Sequence, residues 1–156
     1  MRYYLASVYE EQKKYDLAIE EFRKISMTNP VYVDAAIHVG HLYKLQGNIE
    51  KANTWAEKLV EESPKIAQFW IFRASLQEES KQIDLAIQTL EKAREHFARD
   101  ERVLYYLGSL YDRQNKQDQA LALMNTILEV NPDNVQALNY IGYTYVARRE
   151  KLSDAE

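Results

Sequence analysis

The segment YYLGSLYDRQNKQDQALALMNTILEVNP, residues 105–132, has apolar residues at helical spacing, yet it carries a glycine inside its apolar face and ends at Asn-Pro. A glycine in a helix interior costs about 1 kcal/mol relative to alanine, so Gly108 needs a physical reason. Thirty-four residues earlier the chain has Ala74 in its place, and sixty-eight residues earlier it has Gly40. The feature that decides the fold is therefore a repeat.

Four kinds of residue share a register of 34 positions. Small residues recur at Ala6, Gly40, Ala74, Gly108 and Gly142, and alanines recur at Ala18, Ala52, Ala86 and Ala120. Tyrosines recur at Tyr9, Tyr43, Tyr111 and Tyr145, and prolines at Pro30, Pro64 and Pro132. Gln77 replaces the tyrosine and Ala98 replaces the proline, both in the third unit. Four independent markers in one register indicate a tandem repeat of helix pairs.

Each unit is predicted to form two amphipathic helices. The small residue of the first helix and the alanine of the second allow the two backbones to approach closely, which accounts for Gly108. A left-handed cap at Asn29 and Asn131, followed by proline, is predicted to end the second helix. Gly47 is predicted to interrupt the helix inside the second unit.

These residues resemble the tetratricopeptide repeat family. The resemblance rests on a small residue followed by an aromatic residue, then an alanine and a closing proline within 34 residues. Trp70 with Ala74 also matches the family's spacing of tryptophan and a small residue. The segment ALNYIGYTYVARREKLSDAE, residues 137–156, further resembles bacterial members. Arg73 departs from the pattern, because this position is usually apolar in the family.

The resemblance implies an all-α fold, a right-handed α-solenoid of antiparallel helix pairs with nine full helices, a helical stub and no strand. The expected units are 1–32, 33–66, 67–100 and 101–134, with a partial fifth unit at 135–156. We interpret 1–156 as a single array and a fragment of a longer one, because natural arrays end in polar capping helices and none is visible in the sequence. The first helix of the fifth unit, expected at 135–149, should then expose Ile141, Tyr145 and Val146.

Composition narrows the classes of function. The net charge of −4, with basic and acidic residues interleaved, gives no reason to expect nucleic acid or an anionic membrane as a partner. No segment reaches the length and hydropathy of a membrane span. Because the chain has no cysteine, its redox compartment cannot be inferred from the sequence. We therefore expect a soluble fragment that belongs to the bacterial cytoplasm or periplasm, or to a lipoprotein.

The sequence does not predict an enzyme, a cofactor or a metal. His38 and His41 have a spacing that could hold a metal, but no third ligand lies nearby, and a polar pair facing the groove is the preferred interpretation. Arg73 with Gln77 is either a functional polar cluster or an arginine whose stem packs while its head reaches water, and we favour the second.

The family's inner, concave surface is lined by the first helix of each unit, and there the resemblance places partner binding. The positions on those helices not used by the packing markers are the candidate partner-binding residues: Tyr3, Ser7, Glu10, Ile37, His41, Lys44, Ile71, Ser75, Glu78, Tyr105, Ser109, Asp112, Asn139 and Tyr143. Asp34, Gln68, Arg102 and Gln136 are expected at the rim. The Lys, Asn and Arg clamp with which some members bind acidic C-termini of chaperones is absent at the equivalent positions.

The leading hypothesis is a non-catalytic scaffold that binds a protein or peptide partner in this groove. One alternative is self-association through uncapped repeat ends, in the form of a homodimer made through the C-terminal end. Another is a regulatory domain of a larger protein.

Overall fold

A computed structural model describes the backbone of residues 1–153 and the side chains through Arg149. In this part of the chain there are nine helices and no strand. They are α1 (Arg2–Glu11), α2 (Tyr15–Arg23), α3 (Tyr32–Leu45), α4 (Ile49–Glu62), α5 (Ala67–Glu79), α6 (Ile83–His96), α7 (Glu101–Arg113), α8 (Gln117–Val130) and α9 (Val135–Ser153). The all-α class and the helix pairs of the repeat are therefore confirmed.

The chain forms two compact units. Unit 1, Met1–Gln82, contains α1 to α5, and unit 2 begins at Ile83 and contains α6 to α9. The boundary falls inside the third repeat, which is the repeat that lacks the tyrosine and proline markers.

The alanine markers of the 34-residue register lie in the core of these units. Ala6, Ala18, Ala52 and Ala120 have no exposed surface. A β-carbon added to Gly108 would lie 2.6 Å from Cε of Met124 on α8, and at an ordinary contact distance of 3.7 Å from the carbonyl oxygen of Ala120, so the glycine makes room for the end of the Met124 side chain. Gly108 therefore lies against α8 as predicted, but its close neighbour is a side chain and not the backbone.

Gly40 has a different close neighbour. A β-carbon at this position would lie 2.3 Å from the ring of Phe72 on α5 and 3.5 Å from the ring of Trp55 on α4. In unit 1 the small residue therefore makes room for an aromatic ring of the following first helix as well as for its own second helix.

The turn inside each repeat also follows the register. Lys13, Gly47, Lys81 and Asn115 have positive φ angles of 58°, 74°, 61° and 60°, and they are 34 residues apart. In each case the next residue donates a backbone hydrogen bond to a carbonyl five residues earlier, as Lys14 does to Tyr9 and Lys116 does to Tyr111. This is the Schellman arrangement that ends a helix, and the sequence indicated it only at Gly47.

The predicted left-handed caps at Asn29 and Asn131 are wrong. Neither residue has a positive φ, and Asn131 is extended, with φ −140° and ψ 91°. Both precede proline, and the proline ring disfavours helical conformations of the preceding residue. Their side chains instead accept hydrogen bonds from backbone nitrogens two residues later, Asn29 from Val31 and Asn131 from Asp133.

A hydrogen bond over 30 residues joins consecutive repeats within a unit. Gln46 and Gln114 follow α3 and α7, and each donates to an aspartate in the first turn of the preceding second helix, Asp16 and Asp84. Arg148 on α9 donates to Asp118 at 2.7 Å in the same way. These bonds position α3, α7 and α9 against the second helix that precedes each of them.

In the third repeat, two residues that depart from the repeat pattern are buried or ion-paired. Gln77 is buried, with 5% exposure. The guanidinium of Arg73 lies 2.9 Å from the carboxylate of Glu57 on α4. Arg73 therefore has a defined ion-pair partner in unit 1, whereas the preferred interpretation left its head in water.

Helix α9 is longer than expected, because it continues past residue 149 to Ser153. The helical stub predicted after it lies outside the described residues. Tyr145 and Val146 are 58% and 57% exposed, as expected, while Ile141 is half-buried. Among the described helices, none has the length and apolar content needed to cross a membrane.

Candidate partner-binding surface

The candidate residues of unit 1 lie on α1, α3 and α5, and we call them the unit 1 wall: Tyr3, Ser7, Glu10, Ile37, His41, Lys44, Ile71, Ser75 and Glu78. The corresponding unit 2 wall lies on α7 and α9: Tyr105, Ser109, Asp112, Asn139 and Tyr143. None of these side chains is fully buried, and His41, Asn139 and Tyr143 are exposed. Each wall therefore has side chains accessible to a partner.

An aromatic cluster packs around Tyr3, the first residue of the unit 1 wall. The Tyr3 ring meets the rings of Phe22 and His38 edge-on, with centroids 5.2 and 5.9 Å away. The His38 ring stacks on Phe22 at 5.1 Å. Burial, followed by the nearby carboxylates of Asp34 and Glu10, raises the pKa of Tyr3. The Tyr3 hydroxyl is therefore neutral, and its ring is fixed in place before any partner arrives.

Acidic residues at one register position connect successive first helices. Glu10 lies 3.5 Å from Nδ1 of His38, which is 28 residues later. In unit 2, Asp112 accepts a 2.7 Å hydrogen bond from the Tyr140 hydroxyl, also 28 residues later. Burial and then this bond raise the pKa of Tyr140 to about 12. Two candidate acids are thus partly committed to contacts within the fold.

The middle of the unit 1 wall combines charge with an aromatic contact. Lys44 on α3 forms an ion pair with Glu79 on α5. The His41 ring lies 5.2 Å from the Phe72 ring, edge-on. Burial and then the charge of Lys44 lower the pKa of His41, which is therefore neutral at pH 7. Ile37 packs against a core cluster that includes Phe72.

The candidate serines are turned toward their own helices. The hydroxyls of Ser7, Ser75 and Ser109 donate to the carbonyls of Tyr3, Phe72 and Tyr106 at 2.8–3.1 Å. Their hydroxyl protons are therefore used within their own helices. The four expected rim residues are all exposed in the first turns of α3, α5, α7 and α9.

The two histidines do not form a metal site. His38 faces Glu10 and stacks on Phe22, whereas His41 packs against Phe72. Among the described residues, no group of three or more histidine, aspartate or glutamate side chains could hold a metal ion.

Sequence reasoning left His38 and Tyr140 out of the candidate partner-binding residues, although it placed His38 in a polar pair that faces the groove. They occupy the same register position, and each contacts the acid that lies 28 residues before it. The signal was present in the 34-residue period, because Glu10 and Asp112 are themselves in register. The prediction used the period to find packing positions and did not follow polar pairs across it.

Comparison with known proteins agrees with this architecture. Two tetratricopeptide repeat models match the chain, one at residues 1–32 and 33–66 and the other at residues 78–139. Together they match more than half of the sequence. The chain belongs to the tetratricopeptide repeat family.

Over 152 residues, 97% of this chain, the sequence is 24% identical to a TPR repeat-containing protein of Pseudomonas aeruginosa. The chain spans 26% of the length of that relative.

Solved structures share the fold. The crystal structure of MamA superposes with a TM-score of 0.67 at 21% identity, over 92% of this chain and 84% of that chain. YrrB, described as a TPR protein with an unusual peptide-binding site, superposes with a TM-score of 0.62 at 18% identity, over 88% of this chain and 71% of that chain. At these identities the similarity shows the fold alone.

Proposed function

We propose that this chain is a non-catalytic scaffold that binds a protein or peptide partner on its first-helix walls. The observation that carries the proposal is that an acidic wall residue in each unit contacts a side chain of the next first helix. Glu10 and His38 connect α1 with α3, and Asp112 and Tyr140 connect α7 with α9. A binding surface built from several helices can offer a row of side chains to an extended or helical segment.

Tyrosine provides the anchors in this proposal. Tyr3, Tyr105 and Tyr143 belong to the walls, and tyrosine offers a large contact area at a small cost in side-chain entropy. Glu10, Glu78 and Asp112 make the walls mildly acidic. A partner segment with apolar residues and some lysine or arginine is complementary to them. YrrB, a TPR protein with a peptide-binding site, is a precedent for this kind of partner in the same fold.

Substitution of Tyr105 tests the proposal. Tyr105→Ala is expected to weaken partner binding by about 1–3 kcal/mol while the melting temperature stays close to that of the wild type. A quantitative pull-down from lysate of the source organism compares the wild type, Tyr105→Ala and the matched control Tyr4→Ala. Tyr4 is 76% exposed on α1 and is not a wall residue. Equal recovery of the same partners by wild type and Tyr105→Ala would place binding on another surface.

A second candidate function is self-association through α9. Leu138, Tyr145 and Val146 are 47–58% exposed on this helix, and apolar surface of this kind commonly marks an interaction site. In this proposal the α9 surface of one copy packs against that of a second copy.

Size-exclusion chromatography with light scattering tests it. We expect a concentration-dependent dimer for the wild type and a monomer for Val146→Glu. A wild-type chain that stays monomeric at high concentration would contradict self-association and leave the scaffold proposal untouched.

A further inference from the structure

A cavity of about 450 Å³ lies in unit 1, away from the wall residues, and we call it the Trp55 pocket. Its lining includes Trp55, Lys51 and Lys58 of α4, Arg23 of α2, Tyr43 of α3 and Glu50. Positions 51, 54, 55 and 58 share one face of α4, because residues three and four apart are neighbours on a helix. The pocket thus combines aromatic rings with three cations.

The cations are held over the aromatic rings. The guanidinium carbon of Arg23 lies 5.4 Å from the Trp55 ring centroid, and the Lys58 ammonium lies 5.8 Å from it. The Lys51 ammonium lies 5.9 Å from the Tyr43 ring. The indole N–H of Trp55 donates a 2.7 Å hydrogen bond to the carbonyl of Ala36, which fixes the ring. The aromatic part of the pocket is therefore preformed.

The positive charge of the pocket is only partly balanced. Lys58 is 3.6 Å from Glu62, and both side chains are about half exposed. Within residues 1–149, no carboxylate lies at ion-pair distance from Arg23 or Lys51. Glu50 is the acidic residue in the lining. A local excess of positive charge on a chain with a net charge of −4 favours an anionic group at this place.

The repeat fold does not require this arrangement. The positions equivalent to Trp55 in the other repeats hold Glu21, Thr89 and Leu123. The positions equivalent to Arg23 hold Glu57, Glu91 and Asn125. The alanine and small-residue packing positions keep their residue type in the four full repeats. The positions of Trp55 and Arg23 change both residue type and charge. Lys116 also lies over the Tyr111 ring in unit 2, but a tryptophan beside an arginine occurs at none of the equivalent positions.

We infer that the Trp55 pocket is a second binding site, separate from the walls, for an acidic segment of a protein partner. Carboxylates of the segment pair with Arg23, Lys51 and Lys58, and an adjacent aliphatic or aromatic side chain packs on the Trp55 and Tyr43 rings. A short peptide fits a pocket of this volume with its few cations. A long nucleic acid would meet the negative charge of the rest of the chain.

Two-dimensional NMR tests the inference, because the chain has two tryptophans and their indole N–H signals are easily resolved. Trp70 is buried and donates its indole N–H to Pro64, so its signal serves as an internal reference. The probe is a capped pentapeptide of alternating aspartate and phenylalanine, and the control peptide has lysine in place of aspartate. The expected result is a saturable shift of the Trp55 signal with the acidic peptide alone.

Charge variants sharpen the test. The double variant Lys51→Gln/Lys58→Gln is expected to weaken binding about tenfold, and raised salt should weaken wild-type binding as well. Lys14→Gln/Lys65→Gln removes two exposed lysines that do not line the pocket and should leave the affinity unchanged. Absence of a Trp55 shift at millimolar acidic peptide would overturn the inference. Equal weakening by both double variants, or binding of a single-stranded oligonucleotide in preference to the peptide, would also overturn it.

Discussion

Helices α7 and α9 of unit 2 hold the same register positions and have very different surroundings. Leu104 of α7 is 1% exposed, and its counterpart Leu138 of α9 is 47% exposed. Tyr111 is 9% exposed and Tyr145 is 58% exposed. The difference lies in the second helix that covers each one. α8 packs closely along α7, whereas no described helix packs on the equivalent surface of α9.

The comparison teaches that the register alone does not decide which residues stabilise the fold. The same type of residue at the same position is core in one repeat and surface in the next. Stability is therefore expected to concentrate in α7 and α8, and the α9 surface is expected to tolerate change.

Truncation of the paired leucines should give the largest difference. Leu104→Ala leaves a cavity in the core and is expected to lower the free energy of unfolding by about 2–5 kcal/mol. Leu138→Ala removes an exposed side chain and should change it by no more than about 0.5 kcal/mol. Urea denaturation of both variants measures the difference. Equal losses would show that α9 is as well packed as α7.

The paired glycines come next. Gly108→Leu forces a side chain toward the Met124 side chain and the Ala120 backbone, and it should cost on the order of 1–3 kcal/mol or more. Gly142 has no heavy atom within 4 Å of an added β-carbon, so Gly142→Leu should be neutral or stabilise the helix by about 0.5–1 kcal/mol. Ser109→Ala, beside Gly108 on the wall, should change stability by less than about 0.5 kcal/mol. Similar melting temperatures for Gly108→Leu and Ser109→Ala would contradict the register.

A smaller effect should follow from the buried tyrosine of α7. Burial and then a 2.7 Å hydrogen bond to Glu91 raise the pKa of Tyr111 to about 12. Because the folded pKa lies above the ordinary value of 10.0, this stabilisation is complete below pH 10 and is lost as the pH rises through about 12.

Tyr111→Phe should therefore make the fall in stability above pH 10 less steep, at a cost of about 1 kcal/mol at neutral pH for the lost hydrogen bond. Denaturation at a series of alkaline pH values measures both quantities. An unchanged alkaline slope in the variant would show that Tyr111 ionises as readily in the folded chain as in the unfolded one.

The smallest effect is expected at the end of α9. Arg148 pairs with Asp118, whose side chain is 90% exposed, and exposed ion pairs contribute about 0–1 kcal/mol. Arg148→Ala should lower stability within that range, and added salt should reduce the loss. A loss of several kcal/mol would mean that this contact holds α9 in place.

Much of the fold could be predicted because its markers are packing residues in a fixed period. Gly108, Ala120 and the turn at Gly47 follow directly from steric requirements. Lys13 and Lys81 were not predicted as left-handed residues, because lysine has no local preference for that conformation, and only the backbone hydrogen bonds of the helix end reveal it. The error at Asn131 came from weighing the preference of asparagine above the steric effect of the following proline.

The candidate surface could be predicted less completely. The period places Tyr3 and Tyr105 on first helices, but it does not show which polar residues already form contacts within the fold. The contacts of Glu10 with His38 and of Asp112 with Tyr140 depend on the distance between successive helices. The Trp55 pocket lay outside the prediction, because Trp55 and Arg23 have no counterparts of the same type in the other repeats, although Tyr43 keeps the period.

Native-state hydrogen exchange tests the central claim most directly, since it reports the local stability of α7 and α9 within one molecule. The account predicts that amides of α7 around Gly108 exchange only through openings close to global unfolding, while amides of α9 around Gly142 exchange through smaller, local openings. Equal protection of the two helices would contradict the claim that the covering second helix, and not the register position, determines where the stability of this repeat lies.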